Sequence, residues 1–417
     1  MKSTTLLWGL ATIIVGCSVP EAKADAWKVV PSIAVQQKYS DNIFFDAENT
    51  ESDFISTVSP ALEFSERTER LTASLKAQLD SLTYFDNSYL NATDQNYRGS
   101  LRYAVTPKAN VFTSAGFRKD SQVDRDLGET GLLQGDATRK NYTYEAGGDY
   151  ALSEAMGIRI AFNGLQDKYD DPAEYDLESQ GVSLVLSRDL SAFMRATTGR
   201  LSGSYNEYDQ TNEQSFFGGI VSSESTYKVK NYSGSIGAER QWDEKFTLFA
   251  DAGWRYTDST QEFTQVNAFF SPPRVFAETQ ESNGSGFTGQ FGGSYRGETT
   301  NATLSMSQEV SAASGSTGAT DRTIFRGTVG RKLTEKARFD VTAEYYINTS
   351  VQDEVRLGSN VDEKTLRFNP RLGYQFNQDF WLEAAYLFEQ VDDQVDDTVS
   401  ERNVVWCRLV YQYPMFE

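Results

Sequence analysis

The chain has 417 residues, with 59 Asp and Glu against 39 Lys and Arg, no His and a formal net charge of −20. Its mean hydropathy is −0.51, and after the N-terminus no run of ~18 apolar residues occurs, which excludes a helical membrane protein. The lack of His excludes imidazole-based zinc sites and triads, the net charge argues against a nucleic-acid partner, and 13% aromatic residues are too many for a disordered chain.

The N-terminus has the features of a secretory signal. Lys2 precedes an apolar stretch over residues 6–16, and Ala22-Lys23-Ala24 forms an A-x-A cleavage site. We therefore predict a cleavable signal peptide over residues 1–24, which directs the chain to export. The alternative is lipoprotein processing at Cys17, with the thiol retained as the lipid attachment site.

One pattern repeats along the rest of the chain. In residues 71–80 Leu and Ala alternate with polar residues, and residues 96–105 and 246–257 alternate in the same way. A period of two places the two sets on opposite faces of a β-strand. About 18 such segments occur, each long enough for a tilted membrane strand of ~9–11 residues. They begin near Trp27, Asp53, Leu71, Asn96, Ala109, Asn141, Met156, Gly181, Phe193, Asn231, Phe246, Phe287, Ala302, Thr323, Arg338, Thr365, Phe380 and Asn403.

Some segments fit this pattern less well. The alternation is weak near Gly181, Phe193 and Thr323, so 16 strands is the alternative count. Three prolines also fall inside predicted strands, where a missing N–H removes a ladder hydrogen bond. We expect bulges or shifted strand limits to absorb them. These prolines are Pro31, Pro60 and Pro370.

The connections between the segments alternate in length. Residues 39–52 and 81–95 form long connections, residues 65–70 and 106–108 form short ones, and the series closes with a long connection over residues 390–402. Outer-membrane barrels of bacteria have this asymmetry, with short periplasmic turns and longer extracellular loops. It places both termini in the periplasm, which requires an even number of strands.

A secreted β-sandwich or a soluble barrel is the alternative fold, because its strands also alternate. A soluble barrel would bury its apolar face, whereas here the apolar face is aromatic and the other face carries charges in most strands. A closed sheet with lipid outside and water inside satisfies both faces. We therefore predict an all-β, antiparallel, up-and-down transmembrane barrel over residues 25–417, in the outer membrane of a Gram-negative bacterium. Cys407 is then expected to be buried or lipid-facing.

A short motif carries a family resemblance. Tyr39-Ser40-Asp41-Asn42-Ile43-Phe44 follows the first predicted strand, and residues 52–60 open the second. This start resembles the beta-barrel porin 2 class of outer-membrane proteins, which are often met beside exopolysaccharide-export genes. The resemblance implies an outer-membrane pore, with polysaccharide export as one role, and it supplies no catalytic residues.

The polar face of the predicted strands is mixed in charge and locally basic, while much of the acidic surplus lies in the predicted outer loops. Guanidinium groups bind anions in a fork geometry, so an Arg-lined lumen favours anionic solutes. The alternative is that these arginines pair with acids across strands and brace the barrel. For selectivity the best candidates are Arg98, Arg102, Arg367 and Arg371. The full set predicted to line the lumen is Arg98, Arg102, Arg118, Arg255, Arg296, Arg338, Arg367, Arg371, Asp251, Asp340 and Glu344.

The sequence thus predicts a passive conduit, with export of an anionic exopolysaccharide as its proposed role. One alternative is a general diffusion porin for small solutes, and another is a non-conducting structural or scaffold barrel. No catalytic residue, cofactor or metal site is predicted. The expected partners are outer-membrane lipid and lipopolysaccharide, together with polysaccharide-export machinery, and the pattern leaves open the oligomeric state and whether a loop plugs the lumen.

Overall fold

A computed structural model describes residues 26–122, 127–132, 137–172, 174–312, 318–351 and 361–415; the predicted signal peptide over residues 1–24 lies outside them. In this part of the chain no helix is long and apolar enough to cross a membrane. The described residues form 18 strands, one α-helical turn, α1, and two 3-10 turns over Ser88–Leu90 and Phe217–Gly219. They are β1 (Ala26–Ser40), β2 (Asp53–Arg67), β3 (Leu71–Tyr84), β4 (Ala92–Thr106), β5 (Ala109–Asp120), α1 (Leu127–Thr130), β6 (Arg139–Ser153), β7 (Met156–Tyr169), β8 (Asp176–Asp189), β9 (Thr197–Phe216), β10 (Val221–Gln241), β11 (Phe246–Asn267), β12 (Arg274–Arg296), β13 (Thr300–Ala312), β14 (Ala319–Lys332), β15 (Ala337–Ser350), β16 (Asp362–Gln375), β17 (Phe380–Asp393) and β18 (Thr398–Gln412).

The strands close into one barrel. Each strand pairs antiparallel with the strands before and after it, and β1 pairs with β18, joining Ser32 to Gln412 and Ser40 to Val404. Closure leaves the membrane-spanning sheet without a free edge, so backbone groups are paired strand to strand inside lipid. The prediction of an 18-stranded up-and-down antiparallel barrel is confirmed, and the alternative count of 16 is wrong.

The outer face of the barrel carries an apolar band between two rings of aromatic side chains. At one level Tyr205, Tyr232 and Tyr256 are register neighbours on β9, β10 and β11, with 5.0 Å between the first two ring centroids. At the opposite level Phe246 packs on Tyr295, with ring centroids 4.8 Å apart. The segment from Phe246 to Tyr256 matches the ~9–11 residues of a tilted membrane strand. This spacing and these rings are typical of an outer-membrane barrel.

Four strands are much longer than the membrane requires. β9 to β12 contain 20, 21, 22 and 23 residues, against 12 to 15 in the other strands. Beyond the level of Tyr205, Tyr232 and Tyr256 their outward-facing residues are polar, as at Glu207, Lys230 and Asp258. We call the part of β9–β12 beyond these three tyrosines the extension. The predicted starts near Asn231 and Phe287 miss its first residues, because the outward-facing residues there are mostly polar and the apolar outer face that marks a membrane strand is absent.

The connections differ in length at the two ends. We call the end at which β1 leads into β2 the loop end, which is predicted to be extracellular, and the opposite end the turn end. At the turn end residues 107–108 and 154–155 form two-residue connections, whereas residues 121–138 at the loop end form the connection between β5 and β6. The predicted long connection over residues 390–402 is wrong: β17 and β18 run into it, and four residues remain, 394–397.

The three prolines are absorbed without bulges. The β2–β3 ladder skips the positions of Ser59 and Pro60, and the β16–β17 ladder skips those of Asn369 and Pro370. In both ladders the register is the same on either side of the gap. Pro31 pairs with Leu62 in an unbroken ladder. The barrel therefore tolerates each proline by a local gap or at a position that needs no N–H.

Candidate functional site in the barrel lumen

The structure places the predicted lining residues on the inward face of the sheet, opposite the lipid-facing side chains. Arg98 and Arg102 lie on β4, and Arg367 and Arg371 lie on β16. The remaining members follow the same alternation. They are Arg118 on β5, Asp251 and Arg255 on β11, Arg296 on β12, and Arg338, Asp340 and Glu344 on β15. Their role in selecting solutes stays a prediction.

A chain of alternating charges runs across the inner face of β14–β18, which we call the charged wall. Arg326 Nε donates to Glu344 Oε1 at 2.7 Å, and Arg367 donates to Glu344 and Glu389 at 2.8 Å each. Arg402 donates to the other oxygen of Glu389. The Glu389 and Arg402 side chains are 0% and 3% exposed. Charges this deeply buried persist because each is paired and hydrogen-bonded on more than one side.

Most inward arginines are paired in the same way. The bracing interpretation therefore accounts for much of the wall, including Arg102, Arg118, Arg255, Arg338 and Arg367. In the described part of the chain, the guanidinium groups of Arg98, Arg296 and Arg371 make no hydrogen bond or ion pair. Further pairs include Arg102–Asp149, Arg118–Asp120, Arg139–Asp120, Arg159–Glu145, Arg200–Asp251, Arg255–Asp321 and Arg338–Asp340.

Several buried charged residues of the inner face were absent from the predicted set, among them Glu389, Arg139 and Arg402. Glu389 occupies an inward position of β17 by simple alternation from Glu383, so the pattern was sufficient to find it. Arg139 precedes the strand start predicted near Asn141, and Arg402 falls in the predicted connection over residues 390–402, whereas both lie within strands. At the ends of strands the alternation is too short to assign a face.

The β5–β6 connection folds inward and docks on the charged wall. Tyr346 Oη donates to the carbonyl of Gly128 at 3.1 Å, Asn348 Nδ2 donates to that of Thr130 at 3.2 Å, and Thr365 Oγ1 donates to that of Gly131 at 2.5 Å. Since β5 and β15 are far apart around the ring of strands, the described residues 127–132 of this connection lie in the interior of the barrel. We call residues 127–132 the docked loop.

Apolar contacts and one glycine hold the docked loop against the wall. Leu127 is 0% exposed and packs with Phe45 and Val391. Gly131 has φ +73°, and a Cβ there would lie 2.4 Å from Cγ of Tyr346. A side chain at this position is excluded both by the backbone conformation and by the tyrosine ring. The sequence left open whether a loop plugs the lumen, and the structure shows that the docked loop lies inside the barrel against its wall.

A second segment enters the interior from the opposite side. The loop ends of β13 and β14 pack on the inner face of β10, where Val310 and Ala319 contact Tyr227 and Val229. Gly318 N donates to Gln210 Oε1 at 2.7 Å. The two inward segments therefore dock on different walls, and both narrow the loop end of the barrel.

The motif at residues 39–44 closes the barrel seam. The Asp41 carboxylate accepts the backbone N–H of Asn403 at 2.7 Å and its side-chain amide at 2.8 Å. Asn42 is buried, and its Nδ2 donates to the carbonyls of Asp46 at 2.7 Å and Glu401 at 3.0 Å. These bonds join the top of β1 to β18, so the motif tightens the first and last strands of the sheet.

Two carboxylates fold the neighbouring connections. Asp46 accepts the backbone N–H groups of Glu48 at 2.8 Å and Asn49 at 3.0 Å, and the bonds from Asn49 and Glu48 lower the pKa of this exposed carboxyl. Asp53, at the loop end of β2, accepts the backbone N–H groups of Phe85 at 3.0 Å and Asn87 at 2.9 Å. The motif region is thus structural, and its acids cap connections rather than bind solute.

The lipid band, the polar interior and the inward loop define a porin-like β-barrel of the outer-membrane type. The model of the family described as Putative beta-barrel porin 2 matches residues 22–147. The resemblance drawn from residues 39–60 is confirmed over that part of the chain. No curated protein matches this chain.

Several solved outer-membrane barrels are similar in fold. The ferric yersiniabactin uptake receptor FyuA of Yersinia pestis has 10% identity and TM-score 0.46, over 88% of this chain; the chain spans 62% of that receptor. Pseudomonas aeruginosa OpdK, solved with vanillate, has 10% identity and TM-score 0.42, over 93% of this chain and 98% of OpdK. Acinetobacter baumannii OccAB3 has 9% identity and TM-score 0.43, over 94% and 100%. These identities and TM-scores are too low for the function of any of these proteins to be assigned to this chain.

Proposed function

We propose that the protein is a passive diffusion pore of the outer membrane that favours small anionic solutes. The observation that carries this proposal is the docked loop, which lies in the interior and hydrogen-bonds to Tyr346, Asn348 and Thr365 on the charged wall. A loop held inside a barrel narrows the passage and brings each solute close to the wall. The charges on that wall then act over a short distance.

The unpaired guanidinium groups supply the preference for anions. Arg98 and Arg371 are exposed on the inward face, with no acid bonded to either in the described structure. The acids nearest to Arg371 are already held, Asp340 by Arg338 at 2.7 Å and Glu344 by Arg326 at 2.7 Å. Around Arg371 cations therefore meet neutralised acids, whereas anions meet a free guanidinium group.

Planar-bilayer conductance tests the proposal. Refolded protein should form ion-conducting pores, and the double variant Arg98→Glu/Arg371→Glu should shift the reversal potential in a salt gradient toward cation preference. Arg367 is left intact because it is bonded to Glu344 and Glu389, and an acid there would crowd three carboxylates. The matched control, Lys108→Glu/Lys245→Glu, makes the same change of charge at the turn end.

Two results would overturn the proposal. Protein that inserts into the bilayer but never conducts ions would contradict a pore and support the alternative of a non-conducting scaffold barrel. A reversal potential unchanged by the Arg98/Arg371 variant, or moved equally by the control, removes the anion preference.

Export of an anionic exopolysaccharide is the second candidate. It is favoured by Trp406, whose half-buried indole faces the lumen near Arg371 and offers an apolar platform for a sugar ring. A polymer needs the docked loop to swing away from the wall. Loss of surface polysaccharide in a deletion strain, restored by the wild-type chain, supports export; normal surface polysaccharide in that strain rejects it.

A further inference from the structure

A small cavity opens on the charged wall below the docked loop. Its volume is about 190 Å³, and its lining includes Thr342, Asn369, Arg371, Leu387 and Trp406 from four consecutive strands. Pockets for drug-sized ligands begin near ~300 Å³. The cavity therefore suits a ligand with a single six-membered ring.

The register explains why the cavity exists. Arg371 on β16 pairs with Ala385 on β17, and Ala385 pairs with Trp406 on β18. The three side chains lie in one row, so Arg371 and Trp406 are separated by two strand spacings, roughly 9–10 Å at their backbones. Ala385 between them is small and 6% exposed, which leaves space above it for a flat group.

A gap in the sheet adds unpaired polar groups at the same place. The β16–β17 ladder is interrupted at Asn369 and Pro370, because proline has no N–H to donate. Within the described residues the Asn369 amide makes no hydrogen bond, the Trp406 ring stacks on no other ring, and Arg371 has no ion pair. The cavity thus presents an aromatic face, an amide and a guanidinium, all without protein partners.

The charge of the cavity is positive. Asp340 and Glu344 also line it, but Arg338 holds Asp340 at 2.7 Å, and Arg326 and Arg367 hold Glu344 at 2.7 and 2.8 Å. Arg371 is the cation left over. A planar guanidinium binds a carboxylate through two parallel hydrogen bonds, and an indole face binds a six-membered ring by apolar contact.

We propose that this cavity is a binding subsite for one ring-bearing carboxylate, with the ring on Trp406 and the carboxylate on Arg371. The subsite rests on the proposed anion-favouring pore and names the solute that such a pore selects. Two sources share this chemistry: a uronic acid, as a free sugar or a unit of a polymer, and an aromatic acid. Asn369 and Thr342 provide hydrogen bonds that suit the hydroxyl groups of either.

Calorimetric titration of the detergent-solubilised barrel tests the subsite directly. The probes are D-galacturonate and benzoate, with D-galactose as the uncharged counterpart of the first. At least one acid should bind, and galactose should bind more weakly than galacturonate. Galacturonate binding alone identifies a sugar acid, benzoate binding alone identifies an aromatic acid, and binding of both supports the shared chemistry.

Three variants assign the binding to this cavity. Arg371→Lys keeps the charge and loses the fork, and should weaken binding about tenfold, the effect of one charge-assisted hydrogen bond. Trp406→Leu should also weaken binding, and Ala385→Leu should abolish it by filling the gap. Trp381→Leu removes another inward-facing tryptophan of β17, outside the cavity, and should leave binding unchanged.

Failure of the subsite and failure of the pore are distinguishable. A barrel that conducts but binds neither acid overturns the subsite and leaves the pore intact. Binding that survives Arg371→Lys, Trp406→Leu and Ala385→Leu places the acid elsewhere and also overturns it. A barrel that binds in the cavity but never conducts retains the subsite and rejects the diffusion pore.

Discussion

Two walls of the same barrel are built from different chemistry. The charged wall of β14–β18 holds Glu389 at 0% exposure between two arginines. The inner faces of β9 and β10, which we call the hydroxyl wall, are lined by hydrogen-bonded serines, Ser202 with Ser235 at 2.6 Å and Ser204 with Ser233 at 2.7 Å. We therefore expect the stability of the charged wall to depend on its buried ion pairs, and that of the hydroxyl wall to depend mainly on its backbone hydrogen bonds.

The two walls also receive different segments. The docked loop lies on the charged wall, whereas the loop ends of β13 and β14 lie on the hydroxyl wall at the base of the extension. Beyond these contacts the hydroxyl wall continues past the membrane through β9–β12.

The largest effect is expected at the centre of the charged wall. Glu389→Gln removes the carboxylate that both Arg367 and Arg402 bind, and should lower the free energy of unfolding by about 3–5 kcal/mol, as for other buried pairs that lose one partner. Urea unfolding measures the change. Glu145→Gln, whose pair with Arg159 is half exposed, should cost ~0–1 kcal/mol. Equal costs would contradict the buried-network account.

The next effect concerns the docked loop. Gly131→Val forces a side chain into Tyr346 and strains a backbone at φ +73°, a cost of about 1–3 kcal/mol that undocking relieves. Single-channel conductance should rise severalfold. The control is Gly218→Val in the β9–β10 connection, where φ is +67° and no atom lies within 4 Å of the added Cβ. Unchanged conductance in the Gly131 variant would mean that the loop does not restrict the pore.

A smaller effect is expected on the hydroxyl wall. Ser204→Ala/Ser233→Ala removes both partners of one hydrogen bond, so no group is left unsatisfied, and the net change should be near zero because a typical bond contributes about 0.5–1.5 kcal/mol. Urea unfolding again gives the value. A loss as large as that of Glu389→Gln would show that the two walls do not differ in kind.

The smallest effect is expected from shortening the extension. Removing residues 211–226 and joining Gln210 to Tyr227 by an Asn-Gly turn preserves a paired register and a favoured hairpin turn. Conductance and ion selectivity in bilayers should equal those of the wild type. A marked change in either would place part of the selectivity in the extension.

Prediction from sequence succeeded where lipid enforces a pattern. The starts of β3 at Leu71, β7 at Met156 and β17 at Phe380 coincide with the structure, because alternation between lipid and water is strict in the membrane. It failed at β10 and β12, whose first residues are Val221 and Arg274. There the strands extend beyond the lipid, and their outer face no longer needs to be apolar.

Prediction of the candidate site also succeeded in part and failed in part. Period-two reading assigned Arg367 and Arg371 to the same face, and both lie there. The period of two could not predict that Arg367 bonds two glutamates whereas Arg371 bonds none in the described structure. Ion pairing depends on which residue of the neighbouring strand lies opposite each arginine, and the sequence of one strand does not specify that register.

By itself, the sequence determined the closed barrel, its even strand number and the mixed charge of its inner face, since each follows from a local period of two and from the length of connections. Only the tertiary structure decided which arginines are neutralised, that residues 127–132 lie against the far wall, and that Ala385 leaves a cavity between Arg371 and Trp406. These features depend on which residues of different strands and connections lie opposite one another, and the period of two within a single strand does not specify that register.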